Sequence, residues 1–171
     1  MHTQRIKRDV FNLHKSKDYR PTGVAILYYD PPTGQRKYLV VQSAKAQHMW
    51  SFPQGGKEQK ESLEQCLLRE LDEELGIHKN EIEDKIIGYY DEQLDAELSR
   101  EDKRGFMQGK AYFFALMRYK GNTQLQLQQE EINNVKWLTY KQAVNYLKKG
   151  RKEKAELLIR GLEEAKKKLK K

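Results

Sequence analysis

The chain has a single cysteine, Cys66, in 171 residues, so no internal disulfide can staple it. It also lacks any apolar run approaching the roughly 20 residues that a membrane-crossing helix needs. Residues 1–20 carry charges where a secretory leader would have its hydrophobic segment, so a cytoplasmic protein with no membrane partner is expected. His14 has no second His or Cys beside it, which argues against zinc ligation there. No internal repeat is visible, and the length suits one domain with a proper core.

Acidic residues are scarce only at one end. Residues 141–171 hold twelve Lys and Arg against four Asp and Glu, whereas residues 1–140 hold 21 of each. The net charge of +8 therefore belongs to the C-terminal segment. A basic block of this kind attracts nucleic acid or another polyanion, or is a solvated helix face, and both readings stand open.

What is abundant is carboxylate in one short stretch. Gly55 is followed after five residues by Glu61 and after seven more by Arg69-Glu70-Leu71-Asp72-Glu73-Glu74-Leu75-Gly76-Ile77. At about 100° per residue, Glu70, Glu73 and Glu74 share an arc of roughly a quarter turn of a helix. Leu67, Leu68, Leu71 and Leu75 fill the adjacent arc, which would face a core. Like charges three or four residues apart cost a helix about 0.2–0.5 kcal/mol per pair, so something positive is expected to offset them. Oxygen donors without Cys or His suit Mg²⁺ or Mn²⁺, and Mg²⁺ commonly joins a few carboxylates to substrate phosphates.

The spacing Gly-x5-Glu-x7-Arg-Glu-Leu-x-Glu-Glu-x-Gly-Ile resembles the signature of the Nudix hydrolases at every fixed position. The resemblance implies an α/β fold, an α/β/α sandwich with a mixed sheet, and metal-dependent hydrolysis of a pyrophosphate linkage in a nucleoside diphosphate joined to another group. Carried onto this chain, it implies Glu70, Glu73 and Glu74 as metal ligands and the main-chain carbonyl of Gln54 as a further candidate. Glu131 would join when substrate arrives, with Glu130 as its alternate. Arg69 would orient the glutamates, Glu61 would be a structural partner near the loop, and either Glu74 or Glu131 would be the general base.

Around this stretch, Tyr19-Arg20-Pro21 and Phe52-Pro53-Gln54-Gly55-Gly56 resemble the bacterial RNA pyrophosphohydrolase and dinucleoside polyphosphate hydrolase branch, which would give Arg20 a phosphate contact. Gly55 and Gly56 permit tight backbone geometry beside substrate. Trp50 and Phe52 can stack on a base or pack in the core. Where members of this branch place a substrate-contacting Tyr, this chain has Leu94, with Tyr89 and Tyr90 earlier.

Residues 1–18 read as an arm and residues 19–147 as the hydrolase domain, with 148–171 as a basic helix packed on it or extending from it. A hairpin is expected from 23–29 and 38–43, strands at 85–90 and 110–119, and a charged loop or short helix at 91–104 over the site. Residues 124–129 alternate Gln and Leu, Ile132–Tyr140 follows as a strand, and Thr139 caps a helix that Gly150 ends. The substrates implied are RNA 5′-triphosphate ends or dinucleoside polyphosphates. The alternatives are free nucleoside triphosphates, acted on by a pool-cleaning pyrophosphatase, and a binding module that has lost turnover.

Overall fold

The computed structural model describes residues 19–46, 49–58, 60–93, 109–120 and 124–170. The expected arm at 1–18, Leu94 and most of the segment 91–104 lie outside them. Seven strands form one mixed sheet: β1 (Tyr19–Tyr29), β2 (Lys37–Ser43), β3 (Trp50–Ser51), β4 (Gln54–Gly56), β5 (Ile82–Gln93), β6 (Gly109–Tyr119) and β7 (Ile132–Leu138). Strand β1 runs parallel to β6 along almost its whole length, from Tyr19 opposite Gly109 to Tyr28 opposite Arg118.

The expected hairpin of β1 and β2 is present only at its turn. Tyr28 and Tyr29 pair with Tyr38 and Lys37, after which that edge of β2 pairs with β3, while β7 lines its other edge from Tyr38 to Ser43. The vacated edge of β1 is taken by β4, with Thr22, Gly23 and Val24 opposite Gly56, Gly55 and Gln54. That pairing fixes the glycine pair against the central strand of the sheet.

Side chains alternate between faces along a strand, and the core divides accordingly. Ala25 and Leu27 of β1 and Phe113, Ala115 and Met117 of β6 face α1 (Leu63–Leu75), meeting Leu67, Leu71 and Leu75. Val24 and Ile26, with Tyr112, Phe114 and Leu116, face α2 (Tyr140–Leu147) and α3 (Lys152–Leu169). The sheet is thus covered on both sides, an α/β/α sandwich.

Local chemistry sets the helix ends. Ser62 and Gln65 form a reciprocal capping box at the start of α1. At its end Gly76 takes φ 70° and its amide donates to the Asp72 carbonyl at 3.0 Å, an αL closure, while the Ile77 amide donates to the Leu71 carbonyl at 3.2 Å. Thr139 and Gln142 cap α2 in the same way as Ser62 and Gln65.

The basic helix expected at the C-terminal end packs on the sheet through Leu157, Leu158, Leu162 and Ala165, all buried, with Leu169 half-covered at the edge. Each leucine buried there stabilises by about 1.5–3 kcal/mol, so α3 shares the core of the sheet. Gly161 allows the close approach, since the Phe114 ring fills the place a Cβ would occupy. Among the described residues no helix is long and apolar enough to cross a membrane.

Candidate active site

The acidic face of α1 sits at the edge formed by β4. The Glu70 carboxyl occupies the space where a Cβ on residue 55 would lie, and the Arg20 guanidinium does the same at Gly56. Neither glycine has a positive φ; among the described residues only Gly34 and Gly76 do. Gly55 and Gly56 therefore admit neighbours by lacking a side chain. Successive strand positions point to opposite faces, so the carboxylate and the guanidinium flank the β4 backbone from its two sides.

Arg69 gathers the acids. Its Nε and Nη2 donate to Glu61 at 3.1 and 2.7 Å, a two-pronged pairing. Its Nη1 donates to Glu70 at 2.9 Å and Glu73 at 3.4 Å, and Nη2 also reaches the Gly56 carbonyl at 3.4 Å. The hydrogen bonds to Glu61, ahead of the charges of Glu70 and Glu61, hold the guanidinium still more firmly protonated than usual. Burial alone would raise the Glu61 pKa, but Arg69 and the Glu58 amide reverse it, leaving that carboxyl below its ordinary value.

Glu74 lies deeper. Burial, then a hydrogen bond with Glu70, then the charges of Glu70, Glu131 and Glu73 push its pKa up to about 8. Glu131 reaches this neighbourhood because the preceding segment is tied to the end of α1: the amides of Gln126 and Gln128 donate to the Leu75 and Glu74 carbonyls at 2.9 and 2.8 Å. A turn then closes with the Glu131 amide donating to the Gln128 carbonyl at 3.0 Å. The alternating Gln-Leu run is thus an extended segment on a helix end. Glu130, the alternate acid, is exposed.

The donor set is all oxygen and suits a hard divalent cation. Asp72, Glu73 and Glu74 also crowd the last turn of α1, where the helix dipole is negative and each added anion is unfavourable. One residue before Gly55, the side-chain oxygen Oε1 of Gln54 is buried without a hydrogen-bond partner. Among the described residues no three Asp, Glu, His or Cys side chains stand in ready ligand geometry. Glu70 and Glu73 are turned to Arg69, and Glu131 lies 3.8 Å from Lys45 Nζ. The acids are close together but held by cationic side chains, and ligation requires them to turn inward.

Two sequence expectations are corrected. Trp50 is 7% and Phe52 0% exposed, both in the core beneath α2 and α3, with Trp50 edge-on to Tyr146 at 5.0 Å. Neither offers a ring face to a base. Both are large apolar groups on a short stretch wedged under two helices, and burial there outweighs exposure.

Lys45 had no signal as a site residue. Its turn is held by the Ser43 hydroxyl, which accepts from the amides of Lys45 and Ala46, and by the Ala44 amide donating to the Glu131 carbonyl at 3.0 Å. The Ser43 turn chemistry is readable locally, but nothing in it points to Glu131. Cys66 is fully buried with Sγ 3.6 Å from the Gly55 carbonyl, and burial pushes its thiol up to about 12.

A model of the NUDIX domain matches residues 19–160. The chain is 26% identical over 133 residues to an RNA pyrophosphohydrolase of a Nitratiruptor species, covering 78% of this chain and 86% of that protein. It is 29% identical over 130 residues to an RNA pyrophosphohydrolase of a Sulfurovum species, covering 75% and 80%. The fold superposes on a C. elegans Ap4A hydrolase binary complex with a TM-score of 0.66 at 19% identity, covering 88% of this chain and 98% of that one. It also superposes on the NUDIX domain of Shewanella oneidensis NrtR complexed with ADP ribose, with a TM-score of 0.56 at 26% identity and 88% of each chain covered. With its sandwich fold and its acid helix at the β4 edge, the chain belongs to the Nudix family and is a pyrophosphohydrolase.

Proposed function

We propose that the chain hydrolyses the 5′-terminal polyphosphate of RNA, with dinucleoside polyphosphates as related substrates, using Mg²⁺ or Mn²⁺. The observation that carries the metal reading is the delivery of Glu131 to Glu74 by a segment bonded to the end of α1. A chain that adds a fourth carboxylate to three that already repel is arranged to hold cations. The RNA pyrophosphohydrolases among its relatives support the substrate.

Glu70, Glu73 and Glu74 would hold the ions, with the Gln54 carbonyl beside them and Glu131 turning in with substrate. A bound divalent ion supplies neutralisation of phosphate oxygens and a lowered pKa for the attacking water. Arg69 keeps the glutamates aligned through charge-assisted hydrogen bonds, and Glu61 anchors Arg69. Arg20, packed on Gly56, offers a guanidinium to the phosphate chain. Glu74 or Glu131 takes the proton of the attacking water.

The basic segment adds a phosphate-attracting surface. Lys148, Lys149, Arg151 and Lys152 are exposed at the corner between α2 and α3, where an RNA backbone can run.

The test is turnover of 5′-triphosphorylated RNA with Mg²⁺ or Mn²⁺. Glu74→Gln should abolish it while RNA binding survives; a wild-type protein that hydrolyses no such RNA sinks the reading. Charge reversal at Lys148, Lys149, Arg151 and Lys152 should flatten the salt dependence of RNA binding. An unchanged slope returns that corner to a solvated face.

A further inference from the structure

Beside the acid centre an open groove of about 420 Å³ is lined by Asp72, Glu73, His78, Gln124, Gln126 and Gln128. Its size is that of a small-molecule site. Gln124, Gln126 and Gln128 are exposed, while Leu125 and Leu127 between them pack on the core. The three amides therefore stand in one row. At about 3.3 Å per residue of extended chain the row spans roughly 13 Å.

The row is built. The amides of Gln126 and Gln128 are bonded to the α1 carbonyls, and the Gln126 Cβ lies 3.2 Å from the Cβ position of Gly76, so the segment is pressed onto the helix end. His78 on the opposite wall has Nδ1 3.3 Å from Asp72 Oδ1. The groove starts at Glu73, one residue from Glu74, and Gln128 leads through its turn to Glu131.

We propose that this groove reads the nucleobase of the substrate, with Gln126 and Gln128 as its specificity-determining residues. Among the described residues no Lys or Arg lines it, and Asp72 and Glu73 would repel a phosphate, so the part of a nucleotide that enters is the base and not the phosphate chain. Side-chain amides carry a donor and an acceptor on one planar group, the pattern that pairs with a base edge. Single-stranded ends leave that edge free. The proposal rests on the assignment of the neighbouring acids to a nucleotide polyphosphate.

Four 5′-triphosphorylated RNAs differing only in the first nucleoside, and the four free nucleoside triphosphates, provide the test. Hydrolysis and equilibrium binding are measured for wild type and for the double variant Gln126→Ala, Gln128→Ala. Wild type should prefer one base by at least about fivefold in KM and in affinity, the low end of what an amide–base pair discriminates. The double variant should lose that preference, with kcat changing far less than KM and the melting temperature unmoved, since both side chains are exposed. A wild type without preference, or a variant that keeps it, overturns the proposal. If no RNA is hydrolysed but base-selective binding disappears in the variant, the groove assignment stands and the RNA-end reading falls.

Discussion

The carboxyl of Glu70 rests in the volume that a side chain on residue 55 would need. The glycine is thus required for space, and its neighbour holds the acid against it: Glu70 also accepts from Arg69 at 2.9 Å.

Gly55→Ala should therefore displace Glu70 while leaving the fold intact. The atoms met are the far end of a flexible side chain, so the melting temperature should hardly move. A misplaced catalytic group costs about 100-fold, and kcat/KM on a pyrophosphate substrate should fall by that order. A variant of full activity would show that Glu70 is free to sit elsewhere.

Glu74 makes the metal-free protein pH-sensitive in a defined direction. Its carboxyl stays protonated in the folded state up to about 8, against 4.5 ordinarily. Between those values the folded protein holds a proton that the unfolded chain has given up, so stability falls as pH rises and this contribution is flat below the window. Urea midpoints in chelator should decline across it, and saturating Mg²⁺ should reduce the slope. Calorimetric titration at neutral pH in buffers of different ionisation enthalpy should show proton release on Mg²⁺ binding. A titration with no buffer dependence would separate Glu74 from the metal site.

Gly161→Ala places a methyl against the buried Phe114 ring. Overpacking of this kind costs about 1–3 kcal/mol, and the better helix propensity of Ala returns only roughly 1 kcal/mol. Urea unfolding should show a net loss of stability. A gain would mean that α3 stands further from the sheet.

Cys66 should be inert. A fully buried thiol pushed up to about 12 has almost no thiolate at neutral pH. Iodoacetamide should fail to modify the folded protein or reduce its activity, and labelling should appear only on unfolding. Rapid labelling of active enzyme would contradict the burial.

Much of the site was legible because its geometry is local. Glu70, Glu73, Glu74 and Arg69 lie on one helix, where residue spacing fixes direction, and the apolar run at 110–119 marked a strand of the sheet. Partners set by distant segments were not legible. β1 and β2 read as a continuous hairpin, yet two residue pairs join them, because β4 takes the facing edge of β1 and β3 that of β2. Trp50 and Phe52 read as candidates to stack on substrate, although packing is the commoner fate of aromatics, and it is α2 and α3 that cover them. Lys45 depends on a turn whose partner is Glu131, and no local pattern announces that meeting.

The parallel pairing of β1 with β6 also sets a timetable for synthesis. Each β1 residue from Tyr19 to Tyr28 finds its partner 90 positions later in the chain. At about 5–20 residues per second, roughly 5–18 s pass on the ribosome before that partner is made. During that interval Val24, Ala25, Ile26 and Leu27, which are 0–1% exposed in the finished molecule, have no β6 to cover them. The nascent chain must therefore carry this apolar run uncovered until β6 has been made.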